Sequence, residues 1–219
     1  GTGRVIPTAF DPPGVTDLPG SLFSPKFTYG ARPRVCRFID RTNATRFLIY
    51  TDGACLDNGG ANPRAGCSFV FKPSGSRSEG FTRFPLENEG PTGEVHQKTS
   101  NRAELRAVIA ALRFRAWEGE GLSTLVIATD SGYVAEGATS WVRGWLRRGW
   151  RTSTGAAVKN RDLWECLLGE IERCDEDGLQ IEFWRISRRW NKEADYHAKH
   201  AASEEPPNRF YKHIIGALV

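Results

Sequence analysis

The sequence predicts an α/β protein built on one mixed β-sheet flanked by helices, and three observations carry that reading. The runs Phe47-Leu48-Ile49-Tyr50-Thr51 and Leu125-Val126-Ile127-Ala128 are short, apolar and β-branched, as strands buried on both faces are. Leu105, Val108, Ile109 and Leu112, and then Trp164, Leu167, Leu168 and Ile171, line one face of a helix at i, i+3, i+4 and i+7. From residue 100 onward helix and strand signals alternate, so later strands arrive through helical crossovers and lie parallel to the first.

The elements follow in order. Residues 1–33 hold six prolines and five glycines, a density expected of an extended or loosely docked arm, so 1–45 is read as preceding the fold. The strand at Phe47 ends in the turn pair Asp52-Gly53. Gly66–Phe71 is its hairpin partner, and a weaker strand lies near Phe81–Phe84. Asn101-Arg102-Ala103-Glu104 opens the first long helix, which covers the sheet. Asp130 and Ser131 stand at the exit of the Leu125 strand and begin another helix. Ile181, Phe183 and Ile186 mark a last strand before a helix from Lys192 to Ala202. The body is thus 46–205. The extension 206–219 carries Phe210, Tyr211, Ile214, Ile215 and Leu218, enough apolar surface to dock onto it.

Composition narrows the class of function. The net charge is +4, too mild to name a nucleic-acid partner without its distribution. Cys36, Cys55, Cys67, Cys166 and Cys174 form no C-x-x-C pair, which argues against a disulfide framework or zinc module and for reduced thiols in an intracellular setting. No apolar stretch approaches the roughly 20 residues of a membrane span.

Asp52 and Asp130 both lie where a strand of the expected parallel set ends, the position at which open α/β sheets build their sites. Glu104 and Asp195 are expected in the first turns of two helices. Each has a structural reading as well: a turn residue, a helix cap, or an acid favouring a helix dipole. Converging, the four would repel, and their assembly makes sense around divalent cations. An all-oxygen set selects Mg²⁺ or Mn²⁺ over zinc.

The runs Tyr50-Thr51-Asp52-Gly53-Ala54-Cys55 and Thr99-Ser100-Asn101-Arg102-Ala103-Glu104-Leu105, the triplet Thr129-Asp130-Ser131 and the segment Glu193-Ala194-Asp195 resemble the type 1 ribonuclease H family, in order and with similar gaps, over about 46–203. The resemblance implies a five-stranded ribonuclease H-like fold and an endonuclease that hydrolyses the RNA strand of RNA/DNA hybrids with two Mg²⁺ ions, giving 5′-phosphate and 3′-hydroxyl ends. Asp52 would bridge the ions, Asp195 would help hold the one that activates water, and Glu104 and Asp130 the other. The implied partner is an RNA/DNA hybrid, bound by a monomer, with protein partners left open and nucleus, mitochondrion and cytoplasm not distinguished.

Six basic residues between Ala138 and Arg161, Arg147 and Arg148 among them, interleave with Trp141, Trp145 and Trp150 and with no acid. That mixture suits a nucleic-acid groove; the alternative is a solvated helix whose tryptophans belong to the core. By resemblance, Trp141, Trp145 and Ser153 line the DNA-strand channel, Thr99 and Asn160 form a phosphate pocket, and Asn101 and the main chain after Asp52 meet ribose 2′-hydroxyls. Three departures stand out. Ser100 replaces a usual asparagine at the minor groove, and Gln97 replaces an arginine common in the phosphate pocket. The family's glycine-rich, histidine-bearing loop is here Ser187-Arg188-Arg189-Trp190. Binding is therefore expected to be weaker or less selective. His197 and His200 read as surface residues and His96 as a loop residue. Arg185, Arg188, Arg189 and Lys192 either touch RNA or offset the carboxylates. Nothing in 1–45 resembles a separate hybrid-binding domain.

Overall fold

Phe47, Leu48 and Ile49 are all fully buried, which consecutive strand residues achieve only when both faces of the sheet are covered. The computed structural model, which describes residues 1–75, 79–212 and 214, shows what covers each face. Its strands are β1 (Thr8–Ala9), β2 (Phe23–Phe27), β3 (Cys36–Asp40), β4 (Arg46–Leu56), β5 (Arg64–Val70), β6 (Phe81–Pro85), β7 (Thr124–Thr129) and β8 (Gln180–Arg185). The helices are the short α1 (Pro19–Leu22), α2 (Ser100–Arg113), α3 (Gly132–Glu136), α4 (Val142–Arg147), α5 (Arg161–Glu176) and α6 (Lys192–Ala201), with a π turn, Gly137–Trp141, joining α3 to α4. The α/β class and all five expected strands, β4 to β8, are present.

The sheet runs β1-β8-β7-β4-β3-β2, with β5 and β6 continuing from β4. Strands β1, β8, β7 and β4 are parallel, and β4 to β6 form an antiparallel meander. On one face the apolar stripes of α2 and α5 enclose Phe47, Ile49, Phe69, Leu125, Ile127 and Phe183.

The opposite face corrects the expectation for the N-terminal arm. Phe10 and Phe23 pack there against Leu48, Val126, Ala128, Trp184 and Ile186. The segment then adds β2 and β3, with β3 antiparallel to the first half of β4. It is an integral layer and not a loosely docked arm. Pro19 opens α1 and Pro25 lies within β2, which is tolerated at the edge of the sheet, and between the prolines stand the aromatic residues this face needs. Arg37 seals the junction with a bidentate, fully buried pair to Glu120, at 2.9 and 2.7 Å.

The tail docks as expected. Asn88 and Glu89 amides donate to the carbonyls of Pro207 and Asn208, and Phe210 lies over the guanidinium of Arg106 at 4.4 Å. Ile214 packs against the main core. Ile215 and Leu218 lie outside the described residues.

Candidate active site

Tyr50 and Ala128 are register partners in the parallel pair β4 and β7, so two residues farther along each strand Asp52 and Asp130 stand at the same level. Across the other edge of β4, Asp52 pairs with Ser68. The Ser68 hydroxyl donates to the Ala194 carbonyl at 2.6 Å, which ties α6, and with it Asp195, to this level of the sheet. Glu104 arrives through a close approach. A Cβ on Gly53 would lie 2.1 Å from the Glu104 nitrogen and 2.3 Å from the Ala103 carbonyl carbon. Only glycine lets α2 rest directly on the strand beside Asp52.

The four acids therefore converge, as the electrostatics show. Burial, then the charges of Asp130, Glu104 and Asp195, push the Asp52 carboxyl up to about 8. Burial also raises Glu104, against a hydrogen bond from the Ser131 hydroxyl at 2.5 Å. Asp195 differs. Burial pushes it up, but hydrogen bonds from Lys199 (2.6 Å) and Arg188 (2.5 Å) outweigh that and hold it below the usual carboxylate range. Asn191, fully buried, donates one amide group to both Asp130 (2.7 Å) and the Thr51 carbonyl (3.0 Å).

As the side chains stand, no three acidic, histidine or cysteine groups among the described residues are close enough to form a ready cation site. Side-chain donors hold three of the carboxylates instead, and the Gly53 amide donates to the fourth, Asp52. The donor set nonetheless fits a hard divalent ion: all ligands are carboxylate oxygens, and the charge raising Asp52 is what such an ion would neutralise. Glu104 lies one residue farther into its helix than expected, just past the first turn, because α2 already begins at Ser100.

The expected substrate-facing residues divide. The Thr99 hydroxyl caps α2 by accepting from the Arg102 amide at 3.2 Å, and the Arg102 guanidinium donates to Asn160 at 3.3 Å. Thr99 and Asn160, far apart in sequence, thus meet around one arginine. Asn160 takes a left-handed conformation, φ 57°, which asparagine tolerates. Ser100 and Asn101 lie on the same first turn of α2. Arg147, Arg148 and Ser153 are exposed. Trp141 is 39% exposed, whereas Trp145 and Trp150 are only 8% exposed and belong to the core. The Trp145 ring packs edge-on against Trp164 at 5.2 Å.

His197 is not the surface residue expected. It is 8% exposed and stacks on Phe81, with ring centroids 3.5 Å apart. Sequence reasoning also gave no role to Arg102, which forms a buried bidentate pair with Asp162 at 2.9 and 2.5 Å, or to Asn191. The place of Arg102 inside the Thr99–Leu105 run, and of Asn191 just before the last helix, was the available signal.

Carboxylates gathered where the parallel pairing of β4 and β7 ends, in a fold that also presents a basic segment with an exposed tryptophan, define a class of phosphodiester-cleaving α/β enzymes. A family model described as RNase H matches residues 44–203. The chain is 36% identical over 165 residues to the Ribonuclease H of Neisseria gonorrhoeae, covering 75% of this chain and 94% of that one. It is 38% identical over 147 residues to that of Treponema pallidum, covering 63% and 76%. Among solved structures, the PFV RNase H domain aligns with a TM-score of 0.50 at 21% identity, over 71% of this chain and 93% of that domain, a likeness of fold. This chain belongs to the RNase H family, and its activity is that of a ribonuclease H, cleaving the RNA strand of RNA/DNA hybrids.

Proposed function

We propose that the chain is a Mg²⁺-dependent endonuclease that hydrolyses the RNA strand of a hybrid with two ions held by Asp52, Glu104, Asp130 and Asp195, leaving 5′-phosphate and 3′-hydroxyl ends. The observation that carries this reading is Asp52 itself: buried, pressed by three other carboxylates and raised to about 8. When bound, the ions supply Lewis-acid activation and neutralise charge on the attacking and leaving oxygens, and Mn²⁺ substitutes for Mg²⁺.

The chain's own groups do the rest. Ser131 and Asn191 orient Glu104 and Asp130. Thr99, Arg102 and Asn160 take a phosphate of the DNA strand, while Ser100 and Asn101 meet the minor groove from the first turn of α2. Trp141 offers its exposed face to deoxyribose, with Trp145 as the buried support beneath it and Ser153 farther along the channel. Arg147 and Arg148 hold the backbone by charge. The protein acts as a monomer on the hybrid. Five cysteines without disulfides support an intracellular setting, and no helix among the described residues is long and apolar enough to cross a membrane.

The test is an end-labelled RNA/DNA duplex incubated with and without Mg²⁺, beside RNA/RNA and DNA/DNA duplexes. Internal cuts in the hybrid's RNA, dependent on Mg²⁺ and lost in Asp52→Asn, are expected. Cutting without a divalent ion, or equal cutting of RNA/RNA, would refute the reading.

A further inference from the structure

Arg188 opens the short turn Arg188–Trp190 between β8 and α6. Its guanidinium donates to Asp195 Oδ1 at 2.5 Å and stands 4.0 Å from Asp130 Oδ2. It also interacts electrostatically with Asp52 and lowers Glu104, so its charge acts on all four carboxylates. Lys199 pairs with Asp195 through the other oxygen, Oδ2, at 2.6 Å. The Arg188 side chain is 67% exposed, against 17% for Asp195 and 16% for Asp130. It reaches into the cluster from solvent and can leave it without crossing packed core.

We propose that Arg188 is the resident counter-ion of the carboxylate cluster in the cation-free protein, and that a divalent ion binds by displacing it from Asp195 and Asp130. The inference rests on the reading that these carboxylates hold divalent ions. A guanidinium hydrogen-bonded to a carboxylate oxygen and an ion seeking the same oxygens repel each other, and the half-buried site screens that repulsion poorly. A planar fork spans two acids more readily than a point charge does. Two effects follow. The cation-free fold is protected from self-repulsion, and cation affinity is set lower than the carboxylates alone would give.

The experiment titrates Mn²⁺ calorimetrically into the whole chain as wild type, Arg188→Met, Arg188→Lys and Asp52→Asn, and melts each in chelator. Arg188→Met keeps the stem and removes the charge. It should bind Mn²⁺ roughly threefold or more tightly and melt at a lower temperature in chelator, while Arg188→Lys, which keeps the charge without the fork, falls between wild type and Arg188→Met in both. In the wild type, the side-chain Nε–H resonance of Arg188 should shift when Mg²⁺ is added. Equal or weaker Mn²⁺ binding by Arg188→Met, or an unmoved resonance at saturating Mg²⁺, overturns the inference while leaving the cation site standing. Undiminished Mn²⁺ binding by Asp52→Asn overturns the cation site, and the inference with it.

Discussion

Asp52 holds a proton in the folded protein up to a pKa of about 8, whereas the free carboxyl has an ordinary value of 3.8. Between those values the folded state binds the proton that the unfolded state has released. Cation-free stability therefore falls as pH rises through this window, by up to about 1.4 kcal/mol per pH unit. Asp52→Asn should abolish cleavage, flatten this slope and melt higher than wild type at pH 8 in chelator. Thermal scans from pH 5 to 8 check it, and a parallel slope in the variant would refute the linkage. Gly53 is the second residue of consequence. Gly53→Ala drives a methyl into the backbone of α2 at Ala103 and Glu104, so helix and strand must separate. It should cost on the order of 1–3 kcal/mol and most of the cleavage activity, read by urea unfolding and the hybrid assay.

At the scale of elements, α4 and the π turn before it combine two tasks that the sequence interleaves. Their buried side supplies Val142 and Trp145 to the core, and their exposed side presents Trp141, Arg147 and Arg148. Replacing Arg147 and Arg148 together with Ala should weaken hybrid binding. Its log–log salt dependence should become shallower by about one unit for each phosphate that the two arginines had neutralised, with saturated turnover little changed. An unchanged slope would return the helix to a purely structural role. Trp145→Ala should instead act on stability, costing about 3–5 kcal/mol as a core aromatic.

This division was only half legible beforehand. Spacing marks a helix face, but it does not say which of three tryptophans turns inward when a π turn shifts the phase. Strands β4 to β8 and the four carboxylates were legible because each is written in a contiguous motif. Strands β1 to β3 were not: the partner of β1 lies far along the chain, and around β2 and β3 proline density signals a loop before it signals a cover. Arg188 was legible as a charge but not as a contact, because a long side chain can reach several neighbours.

For the molecule as a whole, the N-terminal layer closes one side of the sheet and joins both of its flanks: β1 beside β8, and β3 beside β4. Phe10 sits at its centre, with its ring centroid 5.0 Å from Trp184 and 5.8 Å from Phe23. Phe10→Ala should cost about 3–5 kcal/mol and quench or shift Trp184 emission before the main unfolding transition. A single transition with unchanged stability would show that the layer contributes little.

The pairing of β1 with β8 also has a consequence in time. Synthesis delivers Thr8 and Ala9 long before their strand partners Glu182 and Phe183. While the ribosome works through the interval, Phe10 and Phe23 have no finished surface to cover, and Leu48 waits uncovered. Closing so long a loop is entropically slow. The pairing of β1 with β8 is therefore a late event of folding, and until this earlier-made segment docks the newborn chain carries the apolar surface on which a chaperone, or another unfinished copy, can seize it.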